Sequence, residues 1–73
     1  GEGSLVVTVN PWGFVTVDGQ SKGMTPIGAI KLPSGTHTVA VTNPELGASR
    51  VMTVKIAPGK TTSVRFDLKK TGN

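Results

Sequence analysis

His37-Thr38-Val39-Ala40-Val41-Thr42 alternates without a break. His37, Val39 and Val41 fall on one side of an extended chain, and Thr38, Ala40 and Thr42 on the other. The loop Asn43-Pro44-Glu45-Leu46-Gly47 follows, and Arg50 to Ile56 then alternates again with Met52, Val54 and Ile56 on one parity. A period of two over both stretches predicts strands with one face on a core and one in water.

The same reading extends outward in both directions. Leu5 to Val9 is the first strand, with Leu5, Val7 and Val9 inward, and Asn10-Pro11-Trp12-Gly13 breaks it. Phe14 to Val17 is the second, with Val15 and Val17 inward. Asp18-Gly19 supplies the positive φ angles of a type I′ hairpin turn, and Gln20 to Lys22 is a short polar return strand. Ile27 to Leu32 is the next clear strand, ended by Pro33-Ser34-Gly35-Thr36. At the far end, Thr62, Val64, Phe66 and Leu68 face inward on a last strand after Pro58-Gly59-Lys60. Local turn chemistry predicts that this strand folds back on Arg50–Ile56 as a hairpin. Ile56 would then pair with Thr62, Val54 with Val64 and Met52 with Phe66. The expected fold class is all-β, a small antiparallel β-sandwich of six or seven short strands. Residues 1–4 read as a linker, 5–68 as the domain and 69–73 as a frayed tail.

Composition agrees. Ten Val, three Ile and ten Thr supply β-branched side chains, which suit pleated sheets better than helices. Ten Gly and five Pro interrupt the 73 residues too often for a long helix. Cysteine is absent, so neither a disulfide scaffold nor a thiolate site is available. No apolar run approaches the ~20 residues of a membrane-spanning helix. The net charge of +4 is mild, and Lys69 and Lys70 in the tail contribute two of its positives.

The chemistry-bearing residues do not assemble into an active site. Glu2, Asp18, Glu45 and Asp67 are scattered, whereas acid–base catalysis needs carboxylates in paired, contrasting environments. His37 is the single imidazole, too few for a metal centre, and reads as a rim residue bonded to a loop carbonyl. Gly59-Lys60-Thr61 resembles the end of a phosphate-binding loop, but the required earlier glycine is Val54 and a strand follows instead of a helix. Three aromatic residues without interleaved cations make a poor nucleic-acid platform. No catalytic residue, cofactor or metal is therefore expected. Trp12 is expected to lie over the open end of the sandwich as a lid, with an exposed binding role as the alternative. Lys55, Arg65 and Asp67 are expected together on one solvent-facing sheet surface, a candidate docking face.

Several ordered motifs span the chain: Val-Asn-Pro-Trp-Gly at 9–13, Val-Asp-Gly at 17–19, Gly-Met-Thr-Pro at 23–26, Leu-Pro-Ser-Gly-Thr-His at 32–37, Val-Thr-Asn-Pro at 41–44 and Pro-Gly-Lys-Thr-Thr at 58–62. This pattern resembles the PEGA domain family of bacteria and archaea. Pro33 and Gly35 match the motif behind that name, and Ser34 and Thr36 depart from it. The version with Asn-Pro-Trp and Asn-Pro-Glu-Leu-Gly looks like those at the C-terminus of myxobacterial-type serine/threonine kinases. The resemblance implies a β-sandwich accessory domain with no catalytic residues to transfer. The expected function is a non-catalytic interaction or sensory module of a larger bacterial protein, on its periplasmic or cell-envelope side, with the cytoplasm as the alternative. Its partner would be a protein or an envelope component, and the isolated domain is expected to be a monomer. A structural spacer, a surface-layer-like module and a cell-wall glycan binder using Trp12 are the alternatives.

Overall fold

The computed structural model describes residues 1–69. Seven strands form: β1 (Glu2–Asn10), β2 (Phe14–Val17), β3 (Gln20–Met24), β4 (Ile30–Pro33), β5 (Gly35–Asn43), β6 (Ala48–Ile56) and β7 (Thr61–Asp67). They make a three-stranded sheet in the order β4-β1-β7 and a four-stranded sheet in the order β3-β2-β5-β6. The two sheets bury one core between them. Leu5, Val7, Val9, Leu32, Phe66 and Leu68 enter it from one side. Val15, Val17, Val39, Val41, Val54 and Ile56 enter it from the other.

The alternation of the sequence is what divides each strand between core and water. Asp18 and Gly19 both have positive φ, 51° and 81°, and join β2 to β3 as a two-residue turn. Met52 departs from the expected inward set and is 41% exposed. It lies on an edge strand, and only Val54 and Ile56 farther along that strand are fully covered.

The last hairpin does not form. β7 leaves the four-stranded sheet and pairs with β1 in parallel, from Ser4↔Thr61 to Asn10↔Asp67. The sandwich is therefore not wholly antiparallel. Core coverage explains the crossing. With β7 beside β6, only β4 and β1 would remain to cover a five-stranded sheet. On the other side, Phe66 and Leu68 close the core.

The proposed linker is also part of the fold. β1 begins at Glu2, which pairs with Pro33, and Gly3 pairs with Leu32. Glu2 accepts at its carbonyl from the Gly59 amide at 2.8 Å, and the Gly1 carbonyl accepts from Ser34 at 2.9 Å. Of the tail expected to fray, the Lys69 amide donates to Asp67 Oδ1 at 3.1 Å, and 70–73 lie outside the described residues.

Candidate functional site

The loop Asn10-Pro11-Trp12-Gly13 carries the chain from one sheet to the other, and Thr25 and Asn43 pin its backbone with three hydrogen bonds. Gly13 donates to Thr25 Oγ1 at 3.0 Å and accepts from the Thr25 amide at 2.9 Å. The Trp12 carbonyl accepts from Asn43 Nδ2 at 3.1 Å. A side chain at Gly13 would start 3.2 Å from Val9 Cγ1 and 3.3 Å from the Thr42 carbonyl, so bare backbone packs there. Leu68 is buried beside it. Gly13 and Leu68 are both buried here, and Trp12 is not among the residues of the core cluster. Trp12 is therefore half-buried outside the core and is not its lid. Its ring stands edge-on to Phe14, with centroids 5.5 Å apart and planes at 88°.

Trp12 also walls a groove of about 320 Å³, with Pro11, Thr25, Pro26 and Ile27 around it and Val6 to Val9 of β1 along it. Backbone parity shows what β1 offers there. Ser4 donates its amide to Lys60 and Asn10 accepts at its carbonyl from Leu68, so even-numbered residues of β1 point their backbone groups at β7. Odd-numbered residues point theirs the other way. There Gly3 meets Leu32 and Leu5 meets Ile30, and β4 reaches no further along β1. The N–H and C=O of Val7 and Val9 thus face the groove with no strand beside them. No loop hydrogen bond replaces it among the described residues. Amide exchange checks this directly. Val6 and Thr8 are expected to exchange slowly, and Val7 and Val9 quickly despite their buried side chains. Equal protection at all four would contradict the open edge.

Phe14 links this corner to the outer face of the four-stranded sheet. It pairs with Met24 on one side and Thr42 on the other, while Ala40 pairs with Val51. Phe14, Met24 and Val51 are 46%, 53% and 69% exposed. Sequence reasoning concentrated on the inner parity and missed the outward pair Phe14 and Met24, with Val51 a separate exposed residue two strands away. The signal was present, since Val15 and Val17 inward put Phe14 outward.

The expected docking face of Lys55, Arg65 and Asp67 is not assembled. Lys55 points outward from β6 in one sheet, and Arg65 and Asp67 belong to β7 in the other. The face depended on the hairpin that does not form. Asp67 instead accepts a long bond of 3.4 Å from Asn10 Nδ2.

The model of the PEGA domain family matches residues 2–72. The chain belongs to the PEGA domain family. No curated protein and no solved structure matches it. The match covers all seven strands, including the three residues before Leu5 that read as a linker.

In this PEGA domain the Pro33-Ser34-Gly35 turn passes the chain between sheets, and His37 clamps it. His37 Nε2 lies 2.7 Å from the Pro33 carbonyl and Nδ1 lies 2.6 Å from Asp18 Oδ2. The carbonyl contact is the one expected of a rim histidine; the carboxylate, 19 residues away, was not foreseen. Both ring nitrogens face acceptors, so only the imidazolium donates to both. The Asp18 carboxylate, then the Pro33 carbonyl, raise the His37 pKa. His37, then the Thr38 amide that donates to Oδ1 at 2.9 Å, lower that of Asp18. The histidine's stabilising contribution is complete below its ordinary pKa of about 6.5 and is lost as pH rises through the raised value. The aspartate's is complete above about 3.9 and is lost as pH falls through the lowered value. The melting temperature is thus expected to decline as pH rises from about 6.5 through the raised value, and the decline to flatten in His37→Gln. An equal decline in the variant would assign it to other groups. Among the described residues no three His, Asp or Glu side chains cluster as a metal site would require.

Proposed function

We propose that this PEGA domain is a non-catalytic interaction module that takes an extended segment of a partner polypeptide as an added strand beside β1. The observation that carries this reading is the pair Val7 and Val9, whose free backbone groups line a groove walled by Trp12 and Pro26. Two N–H and two C=O groups at the spacing of alternate strand residues match an extended main chain. A sugar or a compact small molecule does not reproduce that spacing. The groove lies at the small end of ligand sites, which suits a few residues of peptide. Trp12 supplies the aromatic anchor that such interfaces favour. Lys31 and Arg65 flank β1 on its outer face, beside Ser4 and Thr8, and favour an acidic residue at the outward position of the added strand. The module would serve a larger bacterial protein on its envelope side, and the resemblance to the domains appended to serine/threonine kinases makes such a kinase the setting to examine first.

Peptides selected by display against the intact domain test the reading. Selected binders are expected to slow amide exchange at Val7 and Val9 and to weaken roughly tenfold or more on Trp12→Ala, the loss expected of an interface anchor. Binders that leave both amides unprotected, or a selection that yields none, would overturn it.

A further inference from the structure

The parallel pairing of β1 with β7 has a mechanical meaning that is independent of any ligand. The chain enters β1 at the end where Ser4 lies beside Thr61 and leaves β7 at the end where Asp67 lies beside Asn10. Tension applied through the flanking chain therefore pulls β1 toward its start and β7 toward its finish. These two directions are opposed along adjacent, hydrogen-bonded, parallel strands. The load is a shear: it acts along the strands and stresses the bonds of the ladder together, not one pair after another.

We infer that β1 and β7 form a tension-bearing clamp, and that this domain carries load along the protein in which it sits. The ladder runs over seven residue pairs. It is closed at one end by Ser4 N–H to the Lys60 carbonyl at 2.9 Å and at the other by Leu68 N–H to the Asn10 carbonyl at 2.8 Å. Gly59 N–H to the Glu2 carbonyl at 2.8 Å extends the lower end by one more bond. Sliding β1 past β7 also drags Leu5, Val7 and Val9 across the core against Phe66 and Leu68. Strands β2 to β6 lie between the clamp strands in sequence but outside the load path. They bear no tension until the clamp yields. Had β7 paired with β6, the terminal strands would lie in different sheets with no bonds between them.

The test is single-molecule extension in two directions. The native chain has no cysteine, so paired cysteine handles are unique. Gly1→Cys with Lys69→Cys loads the clamp in shear. Ser34→Cys with Ala57→Cys grips the open end of the antiparallel β5–β6 pair, where Gly35 faces Ile56, and unzips it. Forced unfolding follows the barrier along the pulled direction, so the two values differ even for one folded state. The shear direction is expected to need a several-fold larger force. Val6→Pro removes an amide that points at β7 and is expected to lower the shear force while leaving the unzipping force unchanged. Equal forces in the two directions, or a lower one in shear, would overturn the clamp. That comparison uses only exposed handle positions, so it decides the matter even if Val6→Pro fails to fold. Display-selected peptides bind or fail to bind at Val7 and Val9 regardless of this outcome.

Discussion

Gly3→Val is expected to unfold the domain, and Gly3→Ala to cost about 3 kcal/mol, the upper end of the usual range for overpacking. A β-carbon at Gly3 would lie 2.7 Å from Ile56 Cγ2 and 2.9 Å from the Lys60 carbonyl oxygen, and closer still to that of Ala57. Two of these three neighbours are backbone. The segment that carries them is held by Gly59 N–H on the Glu2 carbonyl and by Ser4 N–H on the Lys60 carbonyl, so it cannot retreat without breaking both. The sign of the effect is diagnostic. Glycine inside an ordinary strand is worse than alanine by roughly 0.5–1 kcal/mol, so Gly3→Ala would stabilise a strand with open space around it. In a linker it would change nothing. Against a domain stability of ~4–11 kcal/mol, the alanine variant should show a clearly lowered urea midpoint, and the valine variant should lack a folded baseline. An unchanged midpoint for Gly3→Ala would return residues 1–4 to the status of a linker.

What could be read from the sequence was what local chemistry decides. The alternation at Val39 and Val41, or at Val15 and Val17, follows from a period of two and needs no knowledge of partners. The Asp18-Gly19 turn follows from backbone preference alone. Partner choice is different. Pro58-Gly59 looks the same whether the next strand returns beside β6 or crosses to β1, and closure of the whole core decides between them. The same holds for Gly3, whose role is set by what approaches it from residues 56–60.

The candidate site was hidden for a related reason. The sequence reading extends one strand from Ile27 to Leu32, but pairing with β1 begins only at Ile30. Those three residues leave the edge of β1 open at Val7 and Val9 and become a wall of the groove at Ile27. A shift of three residues at a strand end is invisible to periodicity, since Ile27 and Ile30 both read as apolar positions. Trp12 stands out in the sequence as the single indole, set in a turn. That its ring stands against Phe14 and outside the core depends on tertiary packing, which no local pattern reveals.

Asn43→Ala is expected to cost about 2–4 kcal/mol and to release the loop that presents Trp12. Asn43 is fully buried, at 0% exposure, on the last position of β5. Its Nδ2 donates to the Trp12 carbonyl at 3.1 Å, and its Oδ1 accepts from the Leu46 amide at 3.0 Å. One side chain thus ties the β5–β6 loop to the loop between β1 and β2. Alanine strands a carbonyl and an amide at once, each worth about 1–3 kcal/mol where water cannot replace the partner. Asn43→Asp separates the two bonds. Its carboxylate still accepts from Leu46 but sets a buried negative charge against the Trp12 carbonyl oxygen, where no donor remains. The aspartate variant is therefore expected to be less stable than the alanine variant at pH 7. It should recover part of the loss in mild acid, when a protonated carboxyl can again donate to Trp12. Trp12 is the only tryptophan, so its fluorescence reports the loop directly while urea midpoints report the fold. An Asn43→Ala protein with native midpoint and native emission would show that Thr25 and Gly13 hold the loop by themselves. The groove beside β1 would then owe its shape to the crossover segment alone.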